Sequence, residues 1–277
     1  MSAPSTTWFF FRAQYPIFSW PQNLVRRPSI IRERSPPIIV EPLETPSAIS
    51  KSAVVIFLHG LSDDAEAIEP VIRHMQGTAK HPNVTWILPN AIEGHCLTAE
   101  WFFPRRLTST PPSRQEQEDE EEDEEGLMAS VQYVESLIDE QVAEGVPVNR
   151  IILGGFSQGH AVALLTSLVS SKYAGRLAGV VGLSGYLPLA TKIPKLRVKA
   201  GLPAKTNDDM AIFLTRGSKD NVIPERYASI CTATLLDMGV KPENLTIRKY
   251  QGLGHAIRND ELEHFGGWLE KAVPRWE

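Results

Sequence analysis

The stretch Ile151-Ile152-Leu153-Gly154-Gly155-Phe156-Ser157-Gln158-Gly159 decides how the rest of this chain is read. An apolar run suited to a buried strand passes directly into Gly155-x-Ser157-x-Gly159, and a helical pattern over Gln158–Ser170 follows. A serine on a tight strand-to-helix turn lifts its hydroxyl above a sheet, where a base can reach it. Such a turn crowds the backbone, so its flanks must lack side chains, a condition that Gly155 and Gly159 meet. The helix start adds N–H groups and a positive dipole end, which favour developing negative charge. A bare Gly-x-Ser-x-Gly arises by chance in roughly one protein in ten of this length. The placement between strand and helix therefore carries the weight.

Working outward, Ala53–Leu58 reads AVVIFL, a continuous apolar run fit for a strand buried on both faces. Val84–Leu88, Leu177–Leu183, Ile212–Thr215 and Leu245–Tyr250 repeat the theme. Between them lie helical patterns. The clearest runs from Leu127 to about Ala143, with Leu127, Val131, Val134, Ile138 and Val142 on one face. Others follow Pro224, to about Met238, and Asp260, to about Val273, where Pro274 stops the pattern. Strands alternating with helices predict an α/β fold with a mostly parallel central sheet and helices on both faces.

A serine hydroxyl is a weak nucleophile and needs a histidine base oriented by a carboxylate. With the serine on this kind of elbow the expected chain order is Ser, then Asp or Glu, then His. His255 sits in the Gly-rich Gly252-Leu253-Gly254-His255, just past the last strand, whereas His264 falls inside the closing helix. Asp220 follows the strand Ile212–Thr215 through Arg216-Gly217-Ser218-Lys219. Asp208 and Asp209 precede that strand, at the wrong sheet edge, and Asp237 belongs to a helix. The expected catalytic set is therefore Ser157, Asp220 and His255. An oxyanion hole needs the N–H of the residue after the serine, Gln158, and one from the loop after an early strand. His59-Gly60-Leu61 supplies that loop, with Leu61 as the second donor.

The rest of the composition narrows the partners. The chain has 277 residues, 42% of them hydrophobic, and a formal net charge of -5, enough for one substantial core and nothing basic enough to bind nucleic acid. The two cysteines, Cys96 and Cys231, suit a reducing compartment rather than a disulfide framework. No stretch approaches the roughly 18–20 apolar residues of a membrane span. Trp8-Phe9-Phe10-Phe11 is cut short by Arg12, and neither Ser2 nor the terminal Trp276-Glu277 fits a lipidation signal. The sequons at Asn83 and Asn244 then lack a secretory context. The expected location is cytoplasmic, with the nucleus open to it; Arg12, Arg26 and Arg27, with no acid before Glu33, are the weaker signal of a mitochondrial transit segment. Residues 1–50 are proline-rich and aperiodic, and read as an extension that drapes on the domain or stays partly disordered. Residues 51–277 form the expected domain, interrupted at about 104–125 by an insertion ending in the acidic run Gln115–Glu125.

Taken together, VIFLHGL, the Trp101-Phe102 pair, Gly145-Val146-Pro147-Val148-Asn149-Arg150, IILGGFSQG, GSKDNVIP and GLGH resemble the acyl-protein thioesterase, lysophospholipase and carboxylesterase family, from about Ala53 to Trp268. The resemblance implies a single α/β-hydrolase domain that removes acyl chains from protein cysteines or lysophospholipids, with no metal or organic cofactor. It assigns Ser157, Asp220 and His255 as the triad, Leu61 and Gln158 as oxyanion donors, and the loop around Trp101 and Phe102 as substrate-binding. An acylated protein or small acyl ester is the implied partner, and monomer and homodimer stay open. Three positions depart from the family's pattern. His160 and Ser62 stand where it has glycines, and Phe103 where an aspartate commonly follows Trp-Phe. His160 reads as a packing residue, with reach toward the elbow as the alternative. These departures keep a small-ester carboxylesterase open as the other activity. A non-catalytic ligand-binding protein on the same fold is the reading from a different class.

Overall fold

The computed structural model describes residues 8–9, 34–77, 82–93, 99–105, 107–110, 122–206 and 209–274. Arg12, Arg26, Arg27, Cys96, Asp208 and the acidic run up to Glu121 lie outside them.

Among the described residues, eleven strands occur in chain order: β1 Trp8–Phe9, β2 Ile38–Val40, β3 Ala53–Leu58, β4 Val84–Leu88, β5 Ile92–Glu93, β6 Ala99–Glu100, β7 Ile151–Phe156, β8 Gly179–Leu183, β9 Ala211–Gly217, β10 Leu245–Tyr250 and β11 Ile257–Arg258. The helices are α1 Ala65–Gly77, α2 Glu124–Ala143, α3 Gln158–Val169, α4 Ile193–Lys199, α5 Glu225–Asp237 and α6 Asn259–Ala272. The main sheet has seven strands in the order β10-β9-β8-β7-β3-β4-β2. Every neighbouring pair is parallel except β2 on β4 at one edge.

The apolar strands are explained by burial on both sides. In β3, Val54, Ile56 and Leu58 face one core with α2, α3 and α5, while Ala53, Val55 and Phe57 face a second core with α1 and α6. A strand with helices on both faces has no solvent side, so its sequence shows no alternation. In the second core Phe265 stacks on Phe213 at 6.2 Å and meets the edge of Trp86 at 6.0 Å.

Four features differ from expectation. Helix α1 forms although Pro70 interrupts its interior, which masks the helical pattern in the sequence. Its buried residues Ala65, Ile68, Val71, Ile72 and Met75 still keep helical spacing, and Asp64 accepts the Ala67 N–H at 2.8 Å. The sheet begins upstream of residue 50, since Ile38–Val40 forms its edge strand. Just before that strand, the Arg34 guanidinium lies 4.1 Å over the Tyr133 ring. The acidic run does not end as loop: Asp123 accepts the Gly126 N–H, and Glu124 and Glu125 are the first turn of α2. Carboxylates there complement the helix dipole. Finally, the buried face of α2 includes Ser130 and Leu137, whereas Val142 is exposed.

Candidate active site

The parallel strands share a direction, so the loops leaving β3, β7, β9 and β10 gather at one edge, the usual place for a site in an open α/β sheet. Ser157 leaves β7 with φ 56° and ψ −115° and caps α3. Few non-glycine residues tolerate that backbone, and such strain recurs at functional positions. Its N–H donates to the Leu183 carbonyl at 2.9 Å, which pins the turn to β8. Both glycines of the motif are obligatory. A Cβ on Gly155 would lie 2.3 Å from the Gly159 carbonyl carbon, and one on Gly159 would lie 2.2 Å from the Leu58 carbonyl oxygen.

His255 and Asp220 come to this serine from two interlocked loops. Lys219 N–H donates to the Leu253 carbonyl at 2.8 Å, and a Cβ on Gly217 would lie 2.2 Å from that same oxygen. Asp220 is buried, and its Oδ1 accepts the N–H groups of Val222 and Ile223 at 2.9 Å each. Its Oδ2 is 2.8 Å from His255 Nδ1, and His255 Nε2 is 2.9 Å from Ser157 Oγ. A carboxylate only accepts, so Nδ1 carries the proton and Nε2 offers its lone pair to the serine hydroxyl. Phe156 packs beside the imidazole, with ring centroids 4.8 Å apart. The other candidates lie elsewhere. Asp209 pairs with Lys241 ahead of β9, Asp237 is exposed at the end of α5, and His264 bonds the Tyr250 hydroxyl at 3.0 Å.

On the opposite side of Ser157 stands the loop that leaves β3. Leu61 is half-buried, and Ser62, with φ 65°, donates its N–H to the Ala99 carbonyl at 2.9 Å. His59 is buried there and donates from Nδ1 to the Gly60 carbonyl at 2.7 Å, while Nε2 accepts the Ala91 N–H at 3.0 Å. Burial pushes its pKa down to about 4, so the ring is neutral. Trp101 braces this loop: its Nε1 donates to the His59 carbonyl at 2.9 Å, and its ring packs against those of His59 and Tyr133. Trp101 and Phe102 are 1% and 5% exposed, so they form packed support rather than an open surface. The Gln158 side chain ties them to the elbow, accepting the Trp101 N–H at 3.1 Å and donating to the Phe102 carbonyl at 3.0 Å. Nothing in a Gly-x-Ser-x-Gly pattern signals that bond.

Two of the departures from the family pattern acquire a physical setting. His160 is buried against β8, where its ring occupies the space that a Cβ on Gly182 or Gly185 would need, within 2.5 Å. Burial pushes its pKa down to about 3, so it is a neutral packing group. At the neck of the insertion, Phe103 N–H donates to Asp123 Oδ2 at 2.9 Å. Beside it, Glu122 accepts the Leu189 N–H and lies 3.4 Å from Arg105.

A hydroxyl aimed at a base in this way can perform acyl transfer, and the sheet that presents it is the α/β-hydrolase sheet. The molecule is thus a serine hydrolase of ester bonds. More narrowly, the chain belongs to the phospholipase/carboxylesterase family, whose model matches residues 44–273. It is 31% identical to acyl-protein thioesterase 1 of Yarrowia lipolytica, over 82% of this chain and 95% of that protein. It is 32% identical to acyl-protein thioesterase 1 of Cryptococcus neoformans, over 80% and 93% respectively. The crystal structure of Zea mays acyl-protein thioesterase 2 superposes with a TM-score of 0.65 at 25% identity, over 86% of this chain and 98% of that one. Among the described residues, no helix is long and apolar enough to cross a membrane.

Proposed function

We propose that Ser157, His255 and Asp220 hydrolyse acyl thioesters on protein cysteines, and acyl oxygen esters by the same route. The observation that carries this reading is the continuous hydrogen-bonded line from Ser157 Oγ through His255 to Asp220, at 2.9 and 2.8 Å. His255 Nε2 takes the hydroxyl proton as Ser157 Oγ bonds to the acyl carbon, and the N–H groups of Leu61 and Gln158 receive the developing oxyanion. The intermediate collapses with cleavage of the C–S or C–O bond, and His255 returns the proton to the leaving group. Water, deprotonated by the same histidine, then cleaves the acyl-serine and regenerates the hydroxyl. Every proton in this cycle moves through His255, so the chemistry calls on no metal or organic cofactor.

The thioester preference draws on the named activity of the Yarrowia and Cryptococcus relatives. In this reading the Trp101–Phe102 segment backs the acyl-binding wall, the substrate partner is an acylated protein, and the enzyme works in the cytoplasm as one hydrolase domain. A small-ester carboxylesterase is the second reading, favoured by the insertion neck at Phe103 and Asp123, directly after Trp101 and Phe102.

A p-nitrophenyl ester series beside a palmitoylated peptide thioester tests the choice. Each methylene buried contributes about 0.8 kcal/mol, so kcat/KM should rise roughly fourfold per added carbon until the site is full. A steady fall beyond butyrate, with no thioester turnover, supports the small-ester reading.

A further inference from the structure

Glu261, in the first turn of α6, carries a carboxyl group with no solvent access, 0% exposed. Its oxygens are shared between two elements. One accepts the hydroxyl of Thr215 on β9, and the other accepts the backbone N–H of Arg258 at 3.3 Å. Thr215 lies on the strand that ends at the Asp220 loop, and Arg258 closes the short strand that leaves His255. Thr215 is tied inward as well, its carbonyl accepting the Ser184 N–H at 3.0 Å. A capping glutamate closes the first turn by accepting the N–H of the N-cap residue, here Arg258. Burying one is costly and calls for partners that hold it.

The upstream side of the His255 loop is already bonded to the Asp220 loop, through Lys219 and Leu253. Glu261 supplies the downstream counterpart. We propose that Glu261 is a positioning residue of the hydrolytic reaction: by joining Arg258 to Thr215 it holds His255 in register with Asp220. This rests on the triad reading above.

Burial pushes the Glu261 carboxyl up to about 7, and Asp260 adds to the rise. The Thr215 hydroxyl, the Arg258 N–H and the Arg258 guanidinium oppose it. Tyr250, at the end of β10, and His264, further along α6 and bonded to the Tyr250 hydroxyl, also face this region. Hydrogen bonds to an ionised acceptor are the stronger ones, so the grip on Arg258 tightens as pH rises through neutrality.

The test uses the full chain and p-nitrophenyl butyrate, with kcat and KM followed from about pH 5.5 to about 8.5. Glu261→Gln keeps the shape but cannot accept both hydrogen bonds. Its kcat at alkaline pH should fall roughly tenfold with KM unchanged, and the wild-type ionisation near 7 should vanish from its kcat profile. Thr215→Val should reproduce part of the loss, and Thr215→Ser should rescue it. A Glu261→Gln enzyme with wild-type kcat and pH profile, altered only in melting temperature, would reduce the residue to a helix cap and overturn the proposal. Should that variant not fold, unchanged kcat and pH profile in Thr215→Val overturns it equally. Fluorophosphonate labelling separates the two levels. A wild type that takes no label contradicts the triad reading, whereas wild type and variants labelling equally fast contradict the positioning role alone.

Discussion

The side-chain carbonyl of Gln158 accepts the backbone N–H of Trp101 at 3.1 Å, so the residue following Ser157 also anchors the segment packed against the loop that leaves β3. Its amide completes the clamp on Phe102. The backbone N–H of Gln158 and its side chain therefore serve different ends. Gln158→Ala keeps the N–H but leaves the buried Trp101 N–H unpaired, a cost of about 1–3 kcal/mol. We expect a stability loss of that size, read by urea unfolding, and a kcat/KM lowered by roughly tenfold. Unchanged stability would show that the clamp has no energetic role.

Asp220→Asn should fold normally, because the asparagine carbonyl still accepts the Val222 and Ile223 N–H groups. Its amide then faces His255 Nδ1 and favours the wrong tautomer. Turnover should drop on the order of 10³- to 10⁴-fold. Near-normal activity, or an equal loss in Asp208→Asn, would assign the carboxylate elsewhere.

His160 and the glycines beneath it form a packing unit. Gly182→Ala places a methyl within 2.5 Å of the imidazole and should cost about 1–3 kcal/mol. In a His160→Ala background the same change should be nearly neutral, giving a coupling energy in a double-mutant cycle. Additive costs would contradict the contact.

Stability should depend on pH through two groups of opposite sign. His160 is held neutral down to about 3 against an ordinary 6.5, so its contribution is present above 6.5 and is lost as the pH falls toward 3. Glu261 keeps its proton up to about 7 against an ordinary 4.5, so the desolvation cost of ionising it makes its share of stability full below 4.5 and lost as the pH rises through 7, even as its bonds to Thr215 and Arg258 strengthen. Melting curves across this range should show a flatter acid limb in His160→Ala and a flatter neutral limb in Glu261→Gln. Parallel pH dependence in wild type and both variants would contradict these assignments.

What the sequence reveals is set by how local each constraint is. AVVIFL in β3 is legible because burial on both faces forbids polar residues, and the elbow is legible because its glycines sit beside the serine in the chain. Asp220 and His255 follow from chain order and from loops after strands. Other features depend on distant partners. Arg34 finds Tyr133 only after folding, and Glu261 looks like any first-turn acid until Thr215 comes against it. Pro70 hides α1, whose stability comes from packing rather than propensity. Trp101 illustrates the limit most sharply, since the motif flags the residue but not that it is buried.

Trapping the acyl-enzyme tests the role of Ser157 at the reacting bond itself. The enzyme is mixed with p-nitrophenyl butyrate, quenched in acid within the first turnovers, digested and mapped by mass spectrometry. A butyryl group should appear on the peptide carrying Ser157, with loss of both adduct and turnover in Ser157→Ala. An adduct on another residue such as Ser62 or Ser184, or turnover that persists in Ser157→Ala, would contradict that role.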